Sequence, residues 1–126
     1  MTISEMKVLI CDDSMLVRKK LADILTKLGI AAIFNASNGE EAVEAYKTNQ
    51  PDIVFMDIVM PGKTGLEALV DIKEYDKNAK VVMVSTIGTQ SNLIAAVKAG
   101  AYEFMQKPVN ADEAEKIINK VLKEKN

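Results

Sequence analysis

The sequence predicts an α/β fold, a doubly wound five-stranded parallel sheet flanked by five helices, and three observations carry that prediction. Short apolar runs recur and end in small polar or acidic residues. Lys7-Val8-Leu9-Ile10-Cys11 leads into Asp12-Asp13, Ile53-Val54-Phe55-Met56 into Asp57, and Val81-Val82-Met83-Val84 into Ser85. Consecutive apolar positions suit strands covered on both faces, as in a parallel sheet. Amphipathic helical patterns separate the runs, and such alternation winds helices onto both faces through right-handed crossovers.

The elements follow in order. Ser14 is placed to cap a helix in which Val17, Leu21, Ile24, Leu25 and Leu28 share one face and which Gly29 ends. Ala31 to Ala36 reads as a second strand. Asn38-Gly39 opens a helix with Ala42, Val43 and Tyr46 inward, closed before Pro51. After Asp57, Pro61-Gly62-Lys63-Thr64-Gly65 has turn chemistry. Leu66, Leu69 and Val70 begin a third helix. Thr86 to Gln90 reads as a loop, and Leu93, Ala96 and Val97 mark a fourth helix stopped by Gly100. Tyr102 to Gln106 is the fifth strand, ending in Lys107-Pro108. Ala114, Ile117, Ile118, Val121 and Leu122 line a last helix, whose basic end, Lys120 to Lys125, suits the negative pole of the helix dipole. The second and fifth runs are the more polar, through Asn35 and through Glu103 and Gln106, so they are the expected edges.

Bulk composition narrows the function classes. The 126 residues suit one domain, and the formal net charge of −2 gives no basic footprint of the kind nucleic-acid binding leaves. No apolar stretch is long enough for a membrane span and no signal sequence opens the chain, so a cytoplasmic protein is expected. The single cysteine, Cys11, ends an apolar run and reads as a buried core residue. Histidine is absent, which removes the commonest metal ligand and general base.

Ligands of open α/β sheets bind beyond the carboxyl ends of the strands. Asp12, Asp13, Asp57, Ser85 and Lys107 are therefore expected to converge. Two carboxylates about 5 Å apart repel by roughly 3 kcal/mol at an effective dielectric near 20, so three in one pocket push at least one pKa upward unless a cation sits among them. An all-oxygen donor set favours a hard ion, and a few carboxylates with waters suit Mg²⁺. A carboxylate beside Mg²⁺ can attack a phosphoryl group, while a lysine and a hydroxyl hold its oxygens. Taken singly, each residue has a plainer role: Asp12 or Asp13 as a helix cap, Asp57 as a loop cap, Lys107 as a solvated surface lysine. Their joint placement at strand ends carries the signal. An Mg²⁺-dependent phosphohydrolase would carry an Asp-x-Asp pair, whereas Val59 stands two residues after Asp57.

These residues, with Met56-Asp57-Ile58-Val59-Met60-Pro61, Gly65 and Lys107-Pro108, resemble the receiver domains of two-component response regulators over essentially the whole chain. Asp12-Asp13-Ser14 with Arg18 is similar to CheY-like single-domain regulators. The resemblance implies a flavodoxin-like fold and a single receiver domain, 1–126, with no output domain. It implies that Asp57 accepts a phosphoryl group from a sensor histidine kinase. Asp13, Asp57 and the carbonyl of Ile58 or Val59 would hold Mg²⁺, supported by Asp12. Ser85 and Lys107 would bind phosphoryl oxygens, and the Lys107-Pro108 bond would be cis. Phe104 stands at the family's aromatic switch position. Ile94, Lys98, Tyr102, Phe104 and Lys120 mark the partner face, and Val59 and Ile87 occupy positions that tune phosphoryl lifetime. The implied output is binding to a downstream protein, a flagellar motor switch or a phosphotransferase, with chemotaxis the suggested pathway. The alternatives are a phosphorelay intermediate and a phosphorylation-independent adaptor. Only slow autodephosphorylation is expected, for want of a general base.

Overall fold

Each apolar run becomes a strand and each amphipathic segment a helix in the computed structural model, which describes residues 1–86 and 90–126. After a short 3-10 turn, Ile3–Glu5, the order is β1 (Lys7–Cys11), α1 (Met15–Leu28), β2 (Ala32–Ala36), α2 (Gly39–Asn49), β3 (Ile53–Asp57), α3 (Gly65–Tyr75), β4 (Val81–Ser85), α4 (Gln90–Lys98), β5 (Glu103–Gln106) and α5 (Ala111–Lys125). All strand pairs are parallel, in the flavodoxin-like order β2-β1-β3-β4-β5. β2 and β5 are the edges, as their polar residues imply. Every residue of β3, at the centre, is buried.

The sheet divides two apolar layers, because side chains alternate between faces along each strand. Val8, Ile10, Phe55, Val82 and Val84 pack with Leu21 and Leu25 of α1 and Ile117, Ile118 and Val121 of α5. Leu9, Cys11, Val54, Met56 and Met83 pack with Ala42 and Tyr46 of α2, Leu69 and Ile72 of α3, and Ala96 of α4. Cys11 is a core residue, 1% exposed. Among the described residues, no helix is long and apolar enough to cross a membrane.

Helix ends follow their local chemistry. The side chains of Ser14, Asn38, Thr64 and Asn110 each accept a backbone N–H in the first turn of α1, α2, α3 and α5. Gly29 closes α1 at φ 107°, a left-handed conformation that a side chain would strain. Gly65 is required for a different reason: a Cβ there would lie 1.9 Å from the carbonyl oxygen of Asp57. A tight approach between α3 and the tip of β3 therefore depends on that glycine.

The helical periodicity misplaces two side chains. Val70 and Val97 fit the apolar pattern, yet they are 42% and 60% exposed, because Leu69 and Ala96 take the core-facing positions beside them. Gln90 belongs to α4 rather than to the preceding loop, and β2 begins at Ala32.

Candidate functional site

Strand register brings the predicted residues to one edge. Cys11 lies opposite Met56, Asp57 opposite Val84, and Ser85 opposite Gln106. Asp12 and Asp57 are thus level with Val84 and Met105, and Ser85 and Lys107 follow one and two residues further along, all at the carboxyl edge of the sheet. One carboxylate oxygen from each of Asp12, Asp13 and Asp57 lies within 4.8 Å of the other two. Lys107 Nζ stands 2.9 Å from Asp12 Oδ2 and 3.5 Å from Asp57 Oδ1.

The plain capping role for Asp12 and Asp13 falls away, since Ser14 caps α1. Asp12, 3% exposed, instead accepts the Ser14 N–H on Oδ1 at 2.9 Å and pairs with Lys107 through Oδ2. Asp13 is exposed and opens the cluster to solvent. Asp57 is 7% exposed, and its carboxyl is pushed up to about 6. Burial is the main cause and the Asp12 charge the second; Lys107 and the Val59 N–H oppose them in part. On Lys107, burial lowers the ammonium pKa, but its contacts with Asp12 and Asp57 outweigh that and raise it.

The donor set fits a hard divalent cation. Three carboxylates face one ammonium, every ligand atom is oxygen, and the exposed Asp13 leaves an approach path. The two candidate carbonyls differ in what they already accept. Ile58 O takes the Gly65 N–H at 2.9 Å, a bond that the close approach of Gly65 makes possible. Val59 projects outward, 70% exposed.

Ser85 is half-buried at the end of β4, and its carbonyl accepts the Lys107 N–H at 2.7 Å, tying the two strand ends together. The Lys107-Pro108 bond is cis. Ile87 lies outside the described residues. Phe104 is half-buried against the α2–α4 layer and lines a cleft of about 530 Å³ with Ser85, Thr86, Leu93, Ile117 and Lys120. Tyr102 takes a different environment: it packs toward the α1–α5 layer, donates its hydroxyl to Glu124, and has Lys80 and Lys120 Nζ 4.7 and 4.8 Å from its ring centroid. Lys98 is exposed at the end of α4, with Ile94 also exposed. The predicted partner residues thus share one side of the molecule without forming one contact cluster.

Arg18 adds a contact that the pattern of strand-end residues does not reveal. Arg18 Nη1 donates to the Asp12 carbonyl at 2.6 Å. Its signal in the sequence is a cation in the opening turns of α1, where the helix dipole disfavours one.

Fold and site are those of an α/β module organised around an acidic cluster at the carboxyl edge of its sheet. The chain belongs to the response regulator receiver domain family, whose pattern matches residues 8–119. It is 45% identical to the chemotaxis protein CheY of Bacillus subtilis over 116 residues, covering 92% of this chain and 97% of that one. It is also 45% identical to CheY of Thermotoga maritima, covering 93% and 98% of the two chains. Among solved structures it resembles one chain of the CheX–CheY–BeF3–Mg²⁺ complex of Borrelia burgdorferi with a TM-score of 0.86 and 38% identity, over 93% of this chain and 89% of that chain.

Proposed function

We propose that residues 1–126 act as one cytoplasmic signalling receiver that accepts a phosphoryl group on Asp57 from a sensor histidine kinase and thereby changes its affinity for a downstream protein, in chemotaxis. The observation that carries this is the convergence of the Asp12, Asp13 and Asp57 carboxylates within 4.8 Å, with Lys107 against two of them. The similarity to two CheY proteins over nearly their whole lengths supports the pathway. The Borrelia complex supports a protein partner.

In the transfer, an Asp57 carboxylate oxygen forms the new bond to phosphorus as the P–N bond of a phosphohistidine breaks. The imidazole leaves with that electron pair and takes up a proton. Lys107, already between Asp12 and Asp57, meets one phosphoryl oxygen as a point charge, and Ser85 donates to another. Asp13, Asp57 and a backbone carbonyl would hold Mg²⁺, with Asp12 in support, and the ion would neutralise phosphoryl charge there. Because Ile58 O is engaged by Gly65, Val59 O is the favoured carbonyl.

The switch follows from the added charge and acceptor oxygens, which act by binding one conformation better than another. Ser85 moving toward the phosphoryl group frees space that Phe104, on the same cleft, moves to fill. Val59 cannot orient an attacking water, so the phosphoryl group persists. Val59→Asn is expected to shorten its lifetime several-fold in a phosphate-release assay; an unchanged lifetime removes Val59 from that role.

Intact-mass measurement after incubation with acetyl phosphate and Mg²⁺ tests the whole reading. One phosphoryl adduct is expected, lost without Mg²⁺ and lost in Asp57→Asn. A folded protein that takes no adduct, and binds no stable phosphoryl mimic, is a phosphorylation-independent adaptor instead.

A further inference from the structure

Asp12 has every polar atom engaged. Its N–H donates to the Ala36 carbonyl at 3.1 Å, its carbonyl accepts from Arg18 Nη1 at 2.6 Å, Oδ1 accepts the Ser14 N–H at 2.9 Å, and Oδ2 faces Lys107 Nζ at 2.9 Å. The first bond continues the parallel ladder and the third closes the turn into α1, so both serve the fold. Lys107 belongs to the cluster. Arg18 serves neither the sheet nor the capping of α1. It is the fourth residue of that helix, and no acidic residue in the first turn offsets its charge at the positive pole. A half-buried guanidinium there, reaching back across the turn to a carbonyl, is an arrangement that helix stability alone does not favour.

We propose that Arg18 is a positioning residue for the divalent-cation and phosphoacceptor site. By holding the Asp12 carbonyl it fixes the Asp12 carboxylate, and through Oδ2 it fixes Lys107 Nζ against Asp57. The inference rests on the receiver reading above. It differs from a counter-charge role in the sign of one observable. A fixed positive charge near the cluster repels Mg²⁺, so its removal would tighten cation binding. A positioning group orients an acidic residue, so its removal weakens binding. Partners that orient metal-site residues typically contribute about 10–100-fold in affinity.

The experiment uses the full chain, labelled with ¹⁵N, as wild type, Arg18→Met, Arg18→Lys and Arg18→Gln. Amide resonances of residues 12–14 are followed during Mg²⁺ titration. Hydrogen exchange of the Asp12 and Ser14 N–H groups is followed without Mg²⁺. Positioning gives Arg18→Met about 10-fold weaker Mg²⁺ binding and several-fold faster exchange at both amides, with Arg18→Lys recovering most of each. Mg²⁺ binding by Arg18→Met that equals or exceeds wild type overturns the proposal, as does unchanged exchange. If Arg18→Met does not fold, Arg18→Gln decides: it too lacks the charge and the reach of the guanidinium, so positioning requires weaker Mg²⁺ binding than wild type, and binding equal to or tighter than wild type overturns it. A wild-type chain that accepts no phosphoryl group defeats the receiver reading, while the metal-free exchange still judges Arg18 separately.

Discussion

The two ends of this sheet handle charge in opposite ways. At the amino end of the strands each carboxylate has its own donors. Asp52 accepts the Lys7 N–H at 2.8 Å and pairs with Lys125 at 3.1 Å. Asp76 accepts the Tyr46 hydroxyl at 2.8 Å and the Asn78 N–H at 2.9 Å, and those bonds hold its carboxyl below the usual range. At the carboxyl end, three carboxylates crowd together with Lys107 paired to only two of them, Asp12 and Asp57, and burial beside Asp12 raises Asp57 to about 6. One end contributes stability, while the other keeps negative charge that the protein's own groups leave partly uncompensated. Such sites are where ligands bind and chemistry occurs, at a cost to the folded state.

The strongest way to exaggerate this difference is to remove the shared cation. Lys107→Met leaves Asp12, 4% exposed at its side chain, without its ion-pair partner. Breaking a buried pair typically costs about 3–5 kcal/mol, and the partial exposure of this lysine reduces that to about 2–3. Urea denaturation at pH 7 without divalent cations measures it. A loss under about 0.5 kcal/mol, the value of an exposed pair, would mean that the cluster is solvated and the contrast between the two ends is false.

Asp57→Asn works in the other direction and is smaller. A carboxyl raised from 3.8 to about 6 by folding binds its proton more tightly in the native state. Its contribution is most favourable below pH 3.8 and is lost as pH rises through 6. The ceiling is about 3 kcal/mol, and solvent on the open side of the cluster screens it to about 1–2. The neutral variant should therefore exceed wild-type stability by about 1–2 kcal/mol at pH 7, with the difference vanishing near pH 4. Paired urea titrations across that range check the sign. A variant less stable than wild type at pH 7 would show Asp57 to be well paired.

Much of this contrast is legible in the sequence, and the reasons are physical. Parallel strands buried on both faces leave uninterrupted apolar runs, so β1, β3 and β4 and the acidic tips beyond them stand out. Polar residues in the remaining runs mark the edges. The pattern cannot say which of two adjacent aspartates turns inward: Asp12 is buried and Asp13 exposed because of the turn into α1, whose geometry Ser14 sets. Nor can periodicity separate Leu69 from Val70 or Ala96 from Val97, neighbours 100° apart on a helix, when both are apolar. Tyr102 and Phe104 share a strand parity yet meet different layers, since Tyr102 precedes β5 and turns to Glu124 on α5. The opposite end of the sheet is silent for a related reason. Tyr46 and Asp76 are 30 positions apart, and nothing local pairs them.

That pair gives the smallest effect and the sharpest control. Tyr46→Phe removes the hydroxyl from Asp76 while keeping the ring, which is 3% exposed and packs edge-on against Tyr75 at 6.3 Å. A hydrogen bond of this kind, partly open to solvent, is worth about 1 kcal/mol. Because Asp76 is lowered below 3.8, its contribution is present above that pH and is lost as pH falls through the lower native value. The destabilisation should therefore stay near 1 kcal/mol from pH 7 down to about 4 and shrink below it. Asp57→Asn changes stability in the opposite sense, and its effect disappears before that of Tyr46→Phe begins to fall. Phosphorylation by acetyl phosphate should be unchanged in Tyr46→Phe, since the substitution lies at the far end of the sheet. An altered rate would couple the two ends through β3, and the division between a stabilising end and a reactive one would have to be redrawn.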